Sequence, residues 1–80
     1  MIRIFGDSIS GNCLKVKWVA TQLSIPHEWI EIDILKGESR TDEFLALNPF
    51  GQVPVVQFDN GRTLAQSNAI ILHFAEGSDL

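Results

Sequence analysis

The sequence predicts a single α/β domain in the order β-α-β-α-β-β-α, a mixed four-stranded sheet with three helices. Three observations lead there. Hydrophobic periodicity switches along the chain between two and about 3.6 residues. An Asn60-Gly61 pair lies between two apolar runs. The chain has 80 residues, 45% hydrophobic and 20% charged, which is room for one core.

Ile2-Arg3-Ile4-Phe5 is short, β-branched and alternating, as a first strand should be. Residues 6–12 form a polar, glycine-flanked loop. Cys13, Val16, Ala20 and Leu23 then recur at spacings of three and four, with Lys15 and Lys17 off the stripe. That pattern predicts an amphipathic helix of about three turns, which Pro26 stops. From His27 to Ile34 the period falls to two. Ile30, Ile32 and Ile34 point to one face and Glu31 and Asp33 to the other, a second strand with one buried side. The polar stretch 36–40 breaks it. Thr41 reads as an N-cap, followed by Asp42 and Glu43 where a helix dipole favours negative charge. Phe44, Leu45 and Leu47 give this helix an apolar face before Asn48-Pro49 ends it. Residues 53–58 and 62–65 pair as a hairpin around Asp59-Asn60-Gly61, and residues 68–76, capped by Ser67, form the last helix. The first half is a βαβ unit, so its strands should be parallel with a right-handed crossover.

Ten acidic against six basic residues give a net charge of −4. This balance argues against nucleic acid, which needs a basic face, and against an anionic membrane surface. No stretch approaches the ~18 apolar residues of a membrane span. No signal-peptide run opens the chain, so the cytoplasm is the expected location. The lone Cys13 forms no internal disulfide. His27 and His73 read as structural or solvent-facing, so no metal site is expected.

Three places could carry chemistry. The turn Ser10-Gly11-Asn12-Cys13 feeds a helix N-terminus, where unpaired N–H groups and the dipole stabilise thiolates and other anions. Ser10 either caps the helix, with Cys13 a small buried apolar residue, or donates a hydrogen bond to an incoming anionic sulfur. At Gln52-Val53-Pro54-Val55, Pro54 is either a trans residue on an edge strand or a cis one. The cis form would leave the Val53 N–H and C=O free to pair with a peptide-like ligand. Gln66-Ser67 makes either a carboxylate or amino-acid site, or a simple cap.

Together, in this order, these features resemble one family. The chain is similar to the N-terminal, thioredoxin-like domain of a serine-type cytosolic glutathione transferase, from Met1 to about Glu76. The most specific pieces are Ser10-Gly11-Asn12-Cys13-Leu14-Lys15-Val16, Asn48-Pro49-Phe50-Gly51-Gln52-Val53-Pro54 and Leu64-Ala65-Gln66-Ser67-Asn68-Ala69-Ile70. No tyrosine occurs, which excludes the tyrosine-type classes.

The resemblance implies glutathione as co-substrate and an electrophilic small molecule as second substrate, a detoxification chemistry. Ser10 would hydrogen-bond the glutathione sulfur. A hydroxyl is too weakly acidic to be a base, so its contribution is electrostatic. Lowering the thiol from ~8.5 by about one unit is worth roughly 1.4 kcal/mol. Asn12 would assist or replace Ser10, with Ser8 a remoter choice. Val53, ahead of a cis-Pro54, would pair with the cysteinyl backbone, Gln66 and Ser67 would hold the γ-glutamyl carboxylate and amine, and Lys36 and Gln52 the glycyl carboxylate. The resemblance further implies a domain over residues 1–76, with 77–80 starting a linker to an absent helical C-terminal domain. It also implies a homodimer for the full-length protein. The isolated domain would bind weakly and turn over little. Phe50 either packs on its own domain or enters a partner subunit as an aromatic plug. Two alternatives are a glutaredoxin-like redox protein using Cys13 and a non-catalytic interaction module of the same fold.

Overall fold

In the computed structural model, which describes residues 1–76, the elements are β1 (Ile2–Gly6), α1 (Gly11–Gln22), β2 (His27–Glu31), α2 (Asp42–Leu47), β3 (Val55–Gln57), β4 (Thr63–Ala65) and α3 (Ser67–Glu76). The sheet runs β2-β1-β3-β4, with β1 parallel to β2 and antiparallel to β3, and β3 antiparallel to β4. The expected α/β class, with a mixed four-stranded sheet and three helices, is what forms. The expected linker at 77–80 lies outside the described residues.

Strand alternation divides the core. Ile4 and Val56 face one side and pack with Val16 and Ala20 of α1 and Ile70 and Phe74 of α3. Phe5 and Val55 face the other side and pack with Phe44 of α2. The sheet is therefore covered by α1 and α3 on one face and by α2 on the other. Burying each large apolar side chain of this kind stabilises by about 1.5–3 kcal/mol. The Phe5 and Phe44 rings meet edge to face with centroids 6.3 Å apart, a favoured aromatic geometry. β1 extends one residue past the expected alternation, to Gly6, and only glycine serves there. A Cβ would lie 2.6 Å from Trp29 Cη2 and 3.1 Å from Cys13 Cβ.

β2 ends at Glu31, short of the expected Ile34. The cause is long-range. Ile32 N still donates to Gly6 O at 2.8 Å, but the buried Asp7 carboxylate then captures Ile34 N at 3.1 Å. Asp33 N turns to Glu38 Oε1 at 2.7 Å, and residues Ile34–Lys36 curl into a 3₁₀ turn whose Lys36 N is capped by Asp33. Ile30 and Ile32 keep the expected buried face, whereas Ile34 is left exposed. At α2 the expectation holds: Thr41 Oγ1 accepts from Phe44 N at 3.2 Å. At α3 it shifts by one residue. Ser67 is inside the first turn, and the capping position belongs to Gln66, whose carbonyl accepts from Ile70 N at 3.1 Å. The hairpin closes as a three-residue loop. Phe58 N donates to Arg62 O at 2.8 Å, and Gly61 takes the left-handed φ of 87° that such a loop requires.

Candidate functional site

The N-terminus of α1, the segment after α2 and the β4–α3 turn enclose an open groove of about 350 Å³. Asn12 and Lys15 line it from α1, Gln52, Val53 and Pro54 from the segment before β3, and Gln66, Ser67 and Asn68 from the last turn. A second groove of about 470 Å³ shares Asn12, Gln52 and Val53 and extends to Ile34, Ser39, Arg40 and Gly51. The shared residues join the two grooves into one trough, in the size range of small-ligand sites.

Local sequence explains why these walls stand where they do. Asn48 is buried, donates through Nδ2 to Gln52 O at 2.9 Å and accepts at Oδ1 from Phe50 N at 3.2 Å. It thereby holds the loop that presents Gln52 and Val53. Gly51 has a φ of 65°, and a Cβ on it would stand 3.0 Å from Arg40 Nη1 and 3.1 Å from Ser39 O. The missing side chain lets Arg40 close on the trough. The Val53–Pro54 peptide is cis, in accord with the cis reading, and the Val53 N–H and C=O bond to no described residue. Gln66 holds a left-handed φ of 71°, costing a non-glycine residue about 1–2 kcal/mol. Such strain concentrates at binding sites.

Ser10 occupies the N-cap position of α1 with extended backbone angles, yet its side chain makes no capping bond. Its N–H donates to Asp7 O at 2.9 Å and its C=O accepts from Leu14 N at 3.0 Å, so the backbone is fixed while the hydroxyl is uncommitted. The capping reading of Ser10 therefore fails. Ser8 differs: its Oγ donates to Glu31 Oε2 at 3.0 Å. The Ser8 N–H and then the Trp29 indole N–H, both donating to Glu31, hold that carboxyl below the ordinary glutamate range. Cys13 is fully buried and free.

The charge of the trough departs from that of the chain. In a protein of net −4, its walls carry Lys15 and Arg40 and no carboxylate. Such a surface selects an anionic, polar ligand.

Of the residues singled out in the sequence, the trough gathers Asn12, Gln52, Val53, Pro54, Gln66 and Ser67. Ser10, half-buried at the N-cap of α1, lines neither groove and comes two positions before Asn12, which lines both. Lys36 is exposed at the end of its 3₁₀ turn and lines neither groove. Lys15, Ser39, Arg40 and Asn68 line the trough without having been singled out as ligands. Lys15 was detectable, because three residues after Asn12 it shares that residue's helix face. Arg40 was not, since its approach to Gly51 joins two positions eleven apart with no periodicity between them. Phe50 is 77% exposed, so its packing on its own domain is ruled out. Among the described residues there is no cluster of ligands able to hold a metal ion, and no helix is long and apolar enough to cross a membrane.

The family model for the glutathione S-transferase N-terminal domain matches residues 9–76. Glutathione S-transferase 3 of Zea mays is 33% identical over 99% of this chain, and glutathione S-transferase hmp2 of Hypomyces subiculosus is 37% identical over 99%. Among solved structures, a possible glutathione S-transferase from Rhodopseudomonas palustris superposes with a TM-score of 0.94 at 46% identity over 99% of this chain. The chain spans 37% and 36% of the two curated relatives and 39% of the R. palustris protein.

Proposed function

The chain belongs to the glutathione S-transferase N-terminal domain family, and from that premise we propose that the trough binds glutathione and ionises its thiol at the N-terminus of α1. The observation that carries this reading is a cationic trough without carboxylates in an acidic protein, ending at a helix N-terminus whose N-cap hydroxyl is uncommitted. Glutathione brings two carboxylates, an amine, peptide groups and a thiol, and the walls offer a partner for each. The γ-glutamyl carboxylate and amine fall to Gln66 and Ser67 at the start of α3, where backbone N–H groups add to the side chains. The cysteinyl peptide pairs with the free N–H and C=O of Val53, ahead of Pro54. The glycyl carboxylate falls to Gln52 and Arg40, with Lys36 an outer candidate. Lys15 adds positive charge beside Asn12.

The sulfur then lies at Ser10, with Asn12 as a second donor. Both donors and the α1 dipole favour S⁻ over SH, so the proton leaves to solvent and the thiol pKa falls. In the complete enzyme the thiolate attacks an electrophilic carbon. A sulfur–carbon bond forms while the leaving group departs with its electron pair, or, in an addition, the displaced π electrons take up a proton. The electrophile's wall, a helical second domain continuing from residues 77–80, a homodimer built on it and a cytoplasmic setting belong to the same proposal. Full burial of Cys13 speaks against the redox alternative, which needs an accessible thiolate.

The test is a titration of the isotope-labelled domain with reduced glutathione, followed by amide shifts. Saturable shifts centred on Ser10, Asn12, Val53, Gln66 and Ser67 are expected. A folded sample without shifts at millimolar ligand contradicts the reading and favours an interaction module.

A further inference from the structure

The turn that carries Ser10 is gripped by carboxylates from two directions. On its inner side, buried Asp7 accepts from Ile9 N at 2.9 Å and from Ile34 N at 3.1 Å, and the Asp7 carbonyl closes the turn with Ser10 N at 2.9 Å. On its outer side stands Glu31, exposed at the end of β2. Its Oε2 accepts from Ser8 N at 2.9 Å and from Ser8 Oγ at 3.0 Å, while Oε1 accepts from Trp29 Nε1 at 2.9 Å. Lys17 of α1 lies 5.0 Å from the Trp29 ring centroid and its charge also favours the Glu31 anion. The sheet does not need this side chain, because Glu31 is already registered opposite Gly6 through its backbone. Fixing an exposed glutamate in one rotamer costs side-chain entropy. What the contact secures is Ser8, the one residue of the turn that Asp7 does not hold.

We propose that Glu31 is a positioning residue for the thiol site: by gripping Ser8 through both its backbone and its hydroxyl, it fixes the turn that delivers the Ser10 hydroxyl to the N-terminus of α1. This rests on the reading of Ser10 as the donor to the glutathione sulfur. Hydrogen bonds weaken steeply as their angle degrades, so a turn free to pivot at Ser8 spreads the Ser10 hydroxyl over poorer geometries and loses its hold on the thiolate. Glu31 lines neither groove of the trough. Its loss acts on sulfur ionisation and leaves the rest of the ligand's contacts in place.

The test is the thiol pKa of glutathione bound at saturation, read from ultraviolet thiolate absorbance across pH. The proteins compared are wild type, Ser10→Ala, Glu31→Ala and Glu31→Gln. Ser10→Ala is expected to raise the midpoint by about one unit and Glu31→Ala by about half a unit. Glu31→Gln, which keeps an oxygen for Ser8, should shift it less, and glutathione affinity in both Glu31 variants should stay within about twofold. A purely structural role would lower stability and leave the midpoint at the wild-type value. That result in both Glu31 variants, with Ser10→Ala raised, overturns the proposal. An unchanged midpoint in Ser10→Ala overturns the reading of Ser10 itself, and the role of Glu31 falls with it. If Glu31→Ala does not fold, Glu31→Gln and Ser8→Ala decide, and wild-type midpoints in both count against the proposal.

Discussion

Of the helices that begin close to the trough, α1 and α2 have N-termini built in opposite ways. α2 is closed: Thr41 Oγ1 caps Phe44 N at 3.2 Å, and Asp42 and Glu43 place negative charge in its first turn. α1 is open: Ser10 stands at the capping position without capping, and no acidic residue occupies the first turn. α2 has neutralised its own positive end, whereas the longer α1 has kept its end available for an anion from outside. A helix terminus left uncompensated gives up stability, typically about 0.5–2 kcal/mol for a missing cap. On the proposed reading, the difference between these two helices separates a structural start from a binding one.

The largest expected effect tests the structural side. Phe44 is 3% exposed and ties α2 to the Phe5 side of the sheet, so Phe44→Ala should cost about 3–5 kcal/mol, read as a lowered urea midpoint. Next is Ser10→Ala, expected to raise the bound thiol pKa by about one unit, roughly 1.4 kcal/mol, with stability changed by less than about 0.5 kcal/mol. Thr41→Ala should do the reverse, costing about 1 kcal/mol of stability in denaturation while glutathione affinity holds. Asn12→Asp sharpens the comparison by giving α1 the charge that α2 already has. It should stabilise the fold by about 0.3–1 kcal/mol in thermal melts and weaken glutathione binding severalfold. The smallest effect is one of pH. Glu31 is held below the ordinary glutamate range by the Ser8 N–H and then the Trp29 indole. A carboxylate depressed in the folded state contributes stability that is fully present above its unfolded pKa of about 4.3 and is lost as pH falls through the lower folded value. Wild type should therefore lose more stability than Glu31→Gln on acidification below that point. Parallel urea midpoints for the two proteins across this range would contradict the assignment.

The sequence made both helix starts legible, because each is written in a few consecutive residues, but whether Ser10 caps α1 took the structure to decide. Thr41-Asp42-Glu43 announces a capped start, and Ser10-Gly11-Asn12-Cys13 a turn into an amphipathic helix. What it did not show depends on partners far apart in the chain. The early end of β2 follows from Asp7 capturing Ile34 N across 27 positions, and the grip on Ser8 comes from Glu31 across 23. Ser67 looked like a cap because serine favours that position, but the strained Gln66 took it. In the polar stretch 36–40, Lys36 is the basic residue that the sequence offers for the glycyl carboxylate, but Arg40, close against Gly51, is the one that lines the trough.

The most direct measurement is a pH titration of glutathione carrying carbon-13 at its cysteinyl β-carbon, free and then saturated with the wild-type protein. An open α1 terminus with an uncommitted Ser10 hydroxyl predicts a bound thiol midpoint about one unit below the free value. Saturable binding with the midpoint unmoved would contradict it, and would mean that the α1 N-terminus does not receive the sulfur.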